Sequence, residues 1–71
     1  PNPTNGILNL KLDSNVKSDV RLFNITGQQL INTTFEGTEQ QLDLNNFGNG
    51  IYLLQVTTDG KITTKKVILN K

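Results

Sequence analysis

Residues 50 to 71 read Gly50-Ile51-Tyr52-Leu53-Leu54-Gln55-Val56-Thr57-Thr58-Asp59-Gly60-Lys61-Ile62-Thr63-Thr64-Lys65-Lys66-Val67-Ile68-Leu69-Asn70-Lys71. Ile51 to Thr57 is rich in β-branched and aromatic side chains and is bounded by glycine. It is apolar on both faces at first, as expected of a central strand buried on both sides. Thr58-Asp59-Gly60 predicts a tight hairpin, because Asp-Gly suits the type I′ turn that joins twisted strands. Lys61 to Leu69 is then the returning strand, with Val67 and Leu69 packed inward and Ile68 on the opposite face. Its lysines fit the guard that edge strands carry against unwanted pairing. Lys65-Lys66 puts one lysine on each face, and an apolar tripeptide follows at once, which a shield alone does not need.

The same two-residue period runs upstream. Ile7 to Leu12 alternates, with Leu8, Leu10 and Leu12 on one face and Asn9 and Lys11 on the other. Asp13-Ser14-Asn15 is a polar turn. Val20 to Ile25 is a second strand, with Val20 and Leu22 facing one way and Phe23 and Ile25 the other; Thr26-Gly27 ends it. Gln29 to Phe35 is a third, stopped by Glu36-Gly37, and Gln40 to Leu44 a short fourth with Leu42 and Leu44 inward. Asn45-Asn46-Phe47-Gly48-Asn49-Gly50 is the strongest turn signal, and Phe47 is expected to fold back as a plug on the core. No segment shows the helical i, i+3, i+4, i+7 pattern. Short strands separated by Gly/Asn turns predict an all-β sandwich.

Seventy-one residues make one domain, 1–71, near the lower limit for folding alone. There is no Cys, hence no disulfide, and no His. A nucleophile–His pair therefore cannot be built. Zinc would have to use carboxylates alone, a poor ligand set. The six acids, Asp13, Asp19, Glu36, Glu39, Asp43 and Asp59, fall mostly in turns and at strand ends, with no density suited to calcium. No catalytic residue, cofactor or metal is expected. No apolar run approaches the ~20 residues that span a bilayer, so no membrane insertion is expected. The net charge of +1 gives no general pull toward nucleic acid. That small number conceals a split. Residues 61 to 71 hold four lysines and no acid, whereas the preceding sixty hold the other three basic and all six acidic side chains.

Two further patterns carry little weight. Asn24-Ile25-Thr26 and Asn32-Thr33-Thr34 fit the glycosylation acceptor, a match that arises by chance in a chain this rich in Asn and Thr. Phe23 and Phe35 on one exposed face would give the beginnings of a carbohydrate platform.

The order of motifs is more telling. Pro1-Asn2-Pro3-Thr4-Asn5-Gly6, the Gly27 turn after an alternating strand, Gly50-Ile51-Tyr52-Leu53-Leu54 and Lys65-Lys66-Val67-Ile68-Leu69 occur in sequence. This resembles the type A C-terminal sorting domain of the type IX secretion system of Bacteroidetes, over essentially the whole chain. The resemblance implies a small immunoglobulin-like β-sandwich of about six to seven antiparallel strands, carried by a larger exported protein. It implies a non-catalytic secretion signal that directs an N-terminal cargo domain through an outer-membrane translocon to the cell surface or the medium. A cell-surface sortase is the second implied partner. Matched by position, Pro1, Asn2, Pro3 and Gly6 belong to the first motif, Gly50 and Tyr52 to the central one, and Lys65, Lys66, Val67, Ile68 and Leu69 to the closing one. The family's short strand before the first motif is missing here, so an open edge and an edge-strand dimer are expected. The alternative is a carbohydrate-binding or spacer sandwich of a surface enzyme.

Overall fold

The leucine alternation near the start of the chain fixes the first element. In the computed structural model, which describes residues 5–11 and 16–71, β1 (Ile7–Lys11) buries Leu8 and Leu10 and turns Asn9 and Lys11 to solvent. β2 (Ser18–Asn24) and β3 (Gln29–Phe35) form a hairpin, and β4 (Glu39–Asp43) returns to pair with β1. β5 (Gly50–Thr58) and β6 (Lys61–Leu69) complete the set. All pairings are antiparallel, in one sheet of order β1-β4 and one of order β3-β2-β5-β6. The described residues contain no helix. The molecule is a small all-β sandwich, as the alternation predicts.

The two sheets meet through ten buried side chains. Leu8, Leu10, Leu42 and Leu44 come from the two-stranded side; Val20, Leu22, Tyr52, Leu54, Val67 and Leu69 come from the four-stranded side. Burying each aliphatic side chain contributes about 1.5–3 kcal/mol. With no disulfide, this layer and the strand ladders are what hold the fold. Ser18, also buried, keeps its hydroxyl satisfied against Thr58 Oγ1 at 2.6 Å.

Turn chemistry sets the registers. Asp59 (φ 51°) and Gly60 (φ 77°) both lie in the left-handed region, so the two-residue loop between Thr58 and Lys61 is the expected type I′ hairpin. The β2–β3 turn is organised by Asn24, whose Oδ1 accepts from Thr26 N, Thr26 Oγ1 and Gln28 N at 2.7–3.1 Å. A bulge between Leu22 and Phe23 leaves Leu30 without an opposite number on β2, which lets the adjacent Leu30 and Ile31 both pack on the core.

Several expectations need correction. β5 lies between β2 and β6, yet it is buried on one face only: Ile51 and Leu53 are 46% and 39% exposed. The second sheet covers the inner face, and no element of the described chain lies over the outer one. β2 stops at Asn24 rather than Ile25, because the Asn24 side chain draws residues 26–28 into its turn; Ile25 is 73% exposed. Phe23 and Phe35 fall on opposite faces, since Phe35 lies opposite Ser18 in the inward row and packs on the core. The aromatic platform is therefore not formed. Leu12, the turn at 13–15 and the Pro1-Asn2-Pro3 motif lie outside the described residues.

Candidate functional site

Residues from three separate parts of the sequence meet at one end of the sandwich. Gly6 is buried there with φ +130°, and a Cβ at this position would run into the side chain of Asn45. Only glycine satisfies both the backbone angle and the close approach. The Gly6 carbonyl accepts from Leu44 N at 2.6 Å, which ties the start of β1 to the exit of β4.

The loop at 45–49 is fastened from several directions. Asp43 Oδ1 accepts from Asn45 N at 2.9 Å, and Phe47 N donates to Leu44 O at 3.1 Å. Phe47 folds back on the core and meets the Tyr52 ring with centroids 6.1 Å apart and planes tilted by 52°. The expected plug is present. The Tyr52 hydroxyl donates to Gly48 O at 2.6 Å. A buried tyrosine keeps its polar end satisfied in this way while its ring fills the core.

Lys71 closes the arrangement. Its Nζ donates to Phe47 O at 2.6 Å and to Asn45 O at 3.1 Å, and its backbone N donates to Asn49 Oδ1 at 2.8 Å. One ammonium thus gathers two outward-facing carbonyls, with the extra strength of a charged donor.

Of the candidate residues, Gly6, Gly50, Tyr52, Val67, Ile68 and Leu69 lie at this pole: Gly50 pairs with Leu69, Ile51 with Ile68 and Tyr52 with Val67. Val67 and Leu69 are buried and Ile68 half-buried, as alternation predicts. Lys65 and Lys66 lie further along β6, beside Leu54 and Leu53, so one belongs to the inward row and one to the outward row; both are exposed. Lys71 was missed by sequence reasoning. A side chain that donates to main-chain carbonyls leaves no mark in the identity of its partners.

The contacts that build the pole are hydrogen bonds and apolar packing. Among the described residues no group of three or more Asp, Glu, His or Cys is placed to hold a metal ion. No helix there is long and apolar enough to cross a membrane. Asn24, the first glycosylation match, has its amide engaged: Nδ2 donates to Gln28 Oε1 at 3.1 Å and Oδ1 accepts the turn.

Residues 1–70 match the family model described as "Secretion system C-terminal sorting domain". The chain matches none of the curated proteins with which it was compared.

Proposed function

The chain belongs to the family of secretion system C-terminal sorting domains, and from that premise we propose that its signal is read as a folded surface centred on the pole. The domain is a sorting signal of type IX secretion, so it implies a cargo protein exported across the outer membrane. This favours sorting over the carbohydrate-binding or spacer reading. The observation that carries the folded-surface reading is convergence. The Gly6, Gly50–Tyr52 and Val67–Leu69 motif residues are remote in sequence and adjacent at one end of the sandwich.

The roles that follow are recognition roles. Gly6 seats Asn45, Tyr52 and Phe47 shape the loop, and Lys71 holds its carbonyls. Val67 and Leu69 anchor β6, and the exposed Lys65 and Lys66 add positive charge to the surface that is read. Pro1, Asn2 and Pro3 belong to the same signal by motif. The reading parties are the translocon and the surface sortase, delivery is to the cell surface or the medium, and the domain itself performs no catalysis. Among the described residues β6 pairs with β5, which sets its lysines on the two faces of the sheet.

Two substitutions test the pole with little disturbance to packing. Tyr52→Phe removes the bond to Gly48, and Lys71→Met removes the ammonium while keeping the stem. Each should leave the sandwich folded, speed hydrogen exchange at Phe47 N–H, and lower export of a fused periplasmic reporter several-fold in a type IX-competent bacterium. Undiminished export with a loosened loop would overturn the reading.

A further inference from the structure

The chain contains the dipeptide Asn-Gly twice, as Asn5-Gly6 and Asn49-Gly50, each followed by isoleucine. This dipeptide has a reactivity of its own. The glycine nitrogen can close a five-membered ring on the asparagine side-chain carbon, and no side chain on the glycine hinders its approach. The two copies stand in opposite surroundings. Gly6 is buried, its carbonyl accepts from Leu44 N, and the Asn45 side chain fills the space where a Cβ would stand. Closing a ring there would need that packing to come apart. Asn49 and Gly50 are both exposed. Nothing beyond the chain neighbours lies within 4 Å of where a Cβ on Gly50 would stand.

Three features of the second copy favour ring closure. Gly50 is the first residue of β5 and pairs with Leu69 of β6, while the β2–β5 ladder reaches only as far as Tyr52. Its N–H therefore sits at the end of a ladder, where opening costs least. Asn49 lies in the loop before β5, so no strand pairing fixes its backbone. Its Oδ1 accepts from Lys71 N at 2.8 Å. A donor on that oxygen stabilises the negative charge that gathers there when the adjoining carbon is attacked.

We infer that Asn49 is a modification site, converted by water to aspartate and isoaspartate, and that the isoaspartate form unfastens the pole. Gly50 N gives its proton to solvent base and attacks Asn49 Cγ. The side-chain nitrogen takes up a proton from solvent and leaves as ammonia, and a succinimide ring remains. Water then adds to one of the two ring carbonyl carbons and breaks that carbon's bond to the ring nitrogen. One opening restores the main chain and leaves a side-chain carboxylate. The other leaves the main chain running through Cβ and Cγ, one carbon longer, with the former main-chain carbonyl as a carboxylate. The net change is water gained and ammonia lost, with nothing oxidised or reduced.

The consequence follows from the fastenings nearby. In the longer form the oxygen that Lys71 N held becomes a main-chain carbonyl, on a backbone stretched between Gly48 and Gly50. Gly48 O receives the Tyr52 hydroxyl and Phe47 O receives Lys71 Nζ, both within two residues of the change. The aspartate form keeps the chain length and the acceptor, so it leaves the loop in place. The inference stands apart from the sorting reading and is tested without export.

The test incubates the folded chain in mildly alkaline buffer and maps its peptides by mass spectrometry. An isoaspartyl methyltransferase with labelled S-adenosylmethionine is the probe for the isomer. Conversion at residue 49 should exceed that at residue 5 about tenfold, and it should rise with pH because Gly50 N must lose its proton. In denaturant the two sites should convert alike, since only the fold separates them. Asn49→Gln, whose longer side chain must close a larger and slower ring, should lose the signal at residue 49 and keep that at residue 5. Equal conversion at the two sites of the folded chain, no conversion at residue 49, or a rate indifferent to pH overturns the assignment. The isoaspartate fraction, separated by chromatography, should exchange Phe47 N–H several-fold faster than the fresh chain; unchanged exchange overturns the unfastening.

Discussion

The inner and outer faces of the four-stranded sheet are made of similar residues and differ in what lies against them. On β5, Tyr52 and Leu54 are 9% and 2% exposed, while the intervening Ile51 and Leu53 are 46% and 39% exposed. Leu8, Leu10, Leu42 and Leu44 of the second sheet cover the first pair. Nothing in the described chain covers the second. Apolar character states what a side chain would gain from burial, not whether the fold supplies the cover.

Adjacent leucines put this comparison to its hardest test. Leu54→Ala should cost about 2–5 kcal/mol. That is a large part of the roughly 4–11 kcal/mol expected for a chain this size. Leu53→Ala should cost about 1 kcal/mol, because more than a third of the residue is already in water and no element of the described chain packs over it. Urea denaturation of the two variants measures the gap, and equal losses would mean that the outer face is covered in solution. Gly6→Ala comes next and sharpens the boundary between core and pole. Its φ of +130° and the Asn45 side chain both oppose a Cβ, a strain of roughly 1–3 kcal/mol. The thermal midpoint should drop, with the amides of residues 44–47 losing protection first. The smallest effect on stability belongs to Lys65→Gln with Lys66→Gln, within about 0.5 kcal/mol because both residues are exposed. Export of a fused reporter should nonetheless decline; a folded double variant that exports normally would reduce these lysines to guards of the edge.

The inward set was legible in the sequence because its signal is local. Leu8, Leu10, Val20, Leu22, Leu42, Leu44, Val67 and Leu69 declare themselves by the two-residue period, and Asp59-Gly60 declares the hairpin by its tolerance of positive φ. Two things were not legible. Alternation assigns Ile51 and Leu53 to a face but cannot say that, among the described residues, the second sheet lies wholly on the other side. The pole depends on main-chain acceptors, such as Asn45 O and Phe47 O for Lys71, and carbonyls are the same in every residue. Gly6 was marked by motif alone; its physical reason, the approach of Asn45, needed the fold.

The bonds from Lys71 to the loop reach across 22 to 26 positions of chain, and the one from Leu44 to Gly6 reaches further still. Contacts this remote form slowly, because loop closure must be completed before they contribute anything. The pole therefore cannot exist in a nascent, unravelled or misfolded chain, even though every residue of the motif set is present in it. A receptor that recognises the pole would be reading a certificate of completed folding, and a polypeptide bearing the right letters in the wrong shape would go unrecognised.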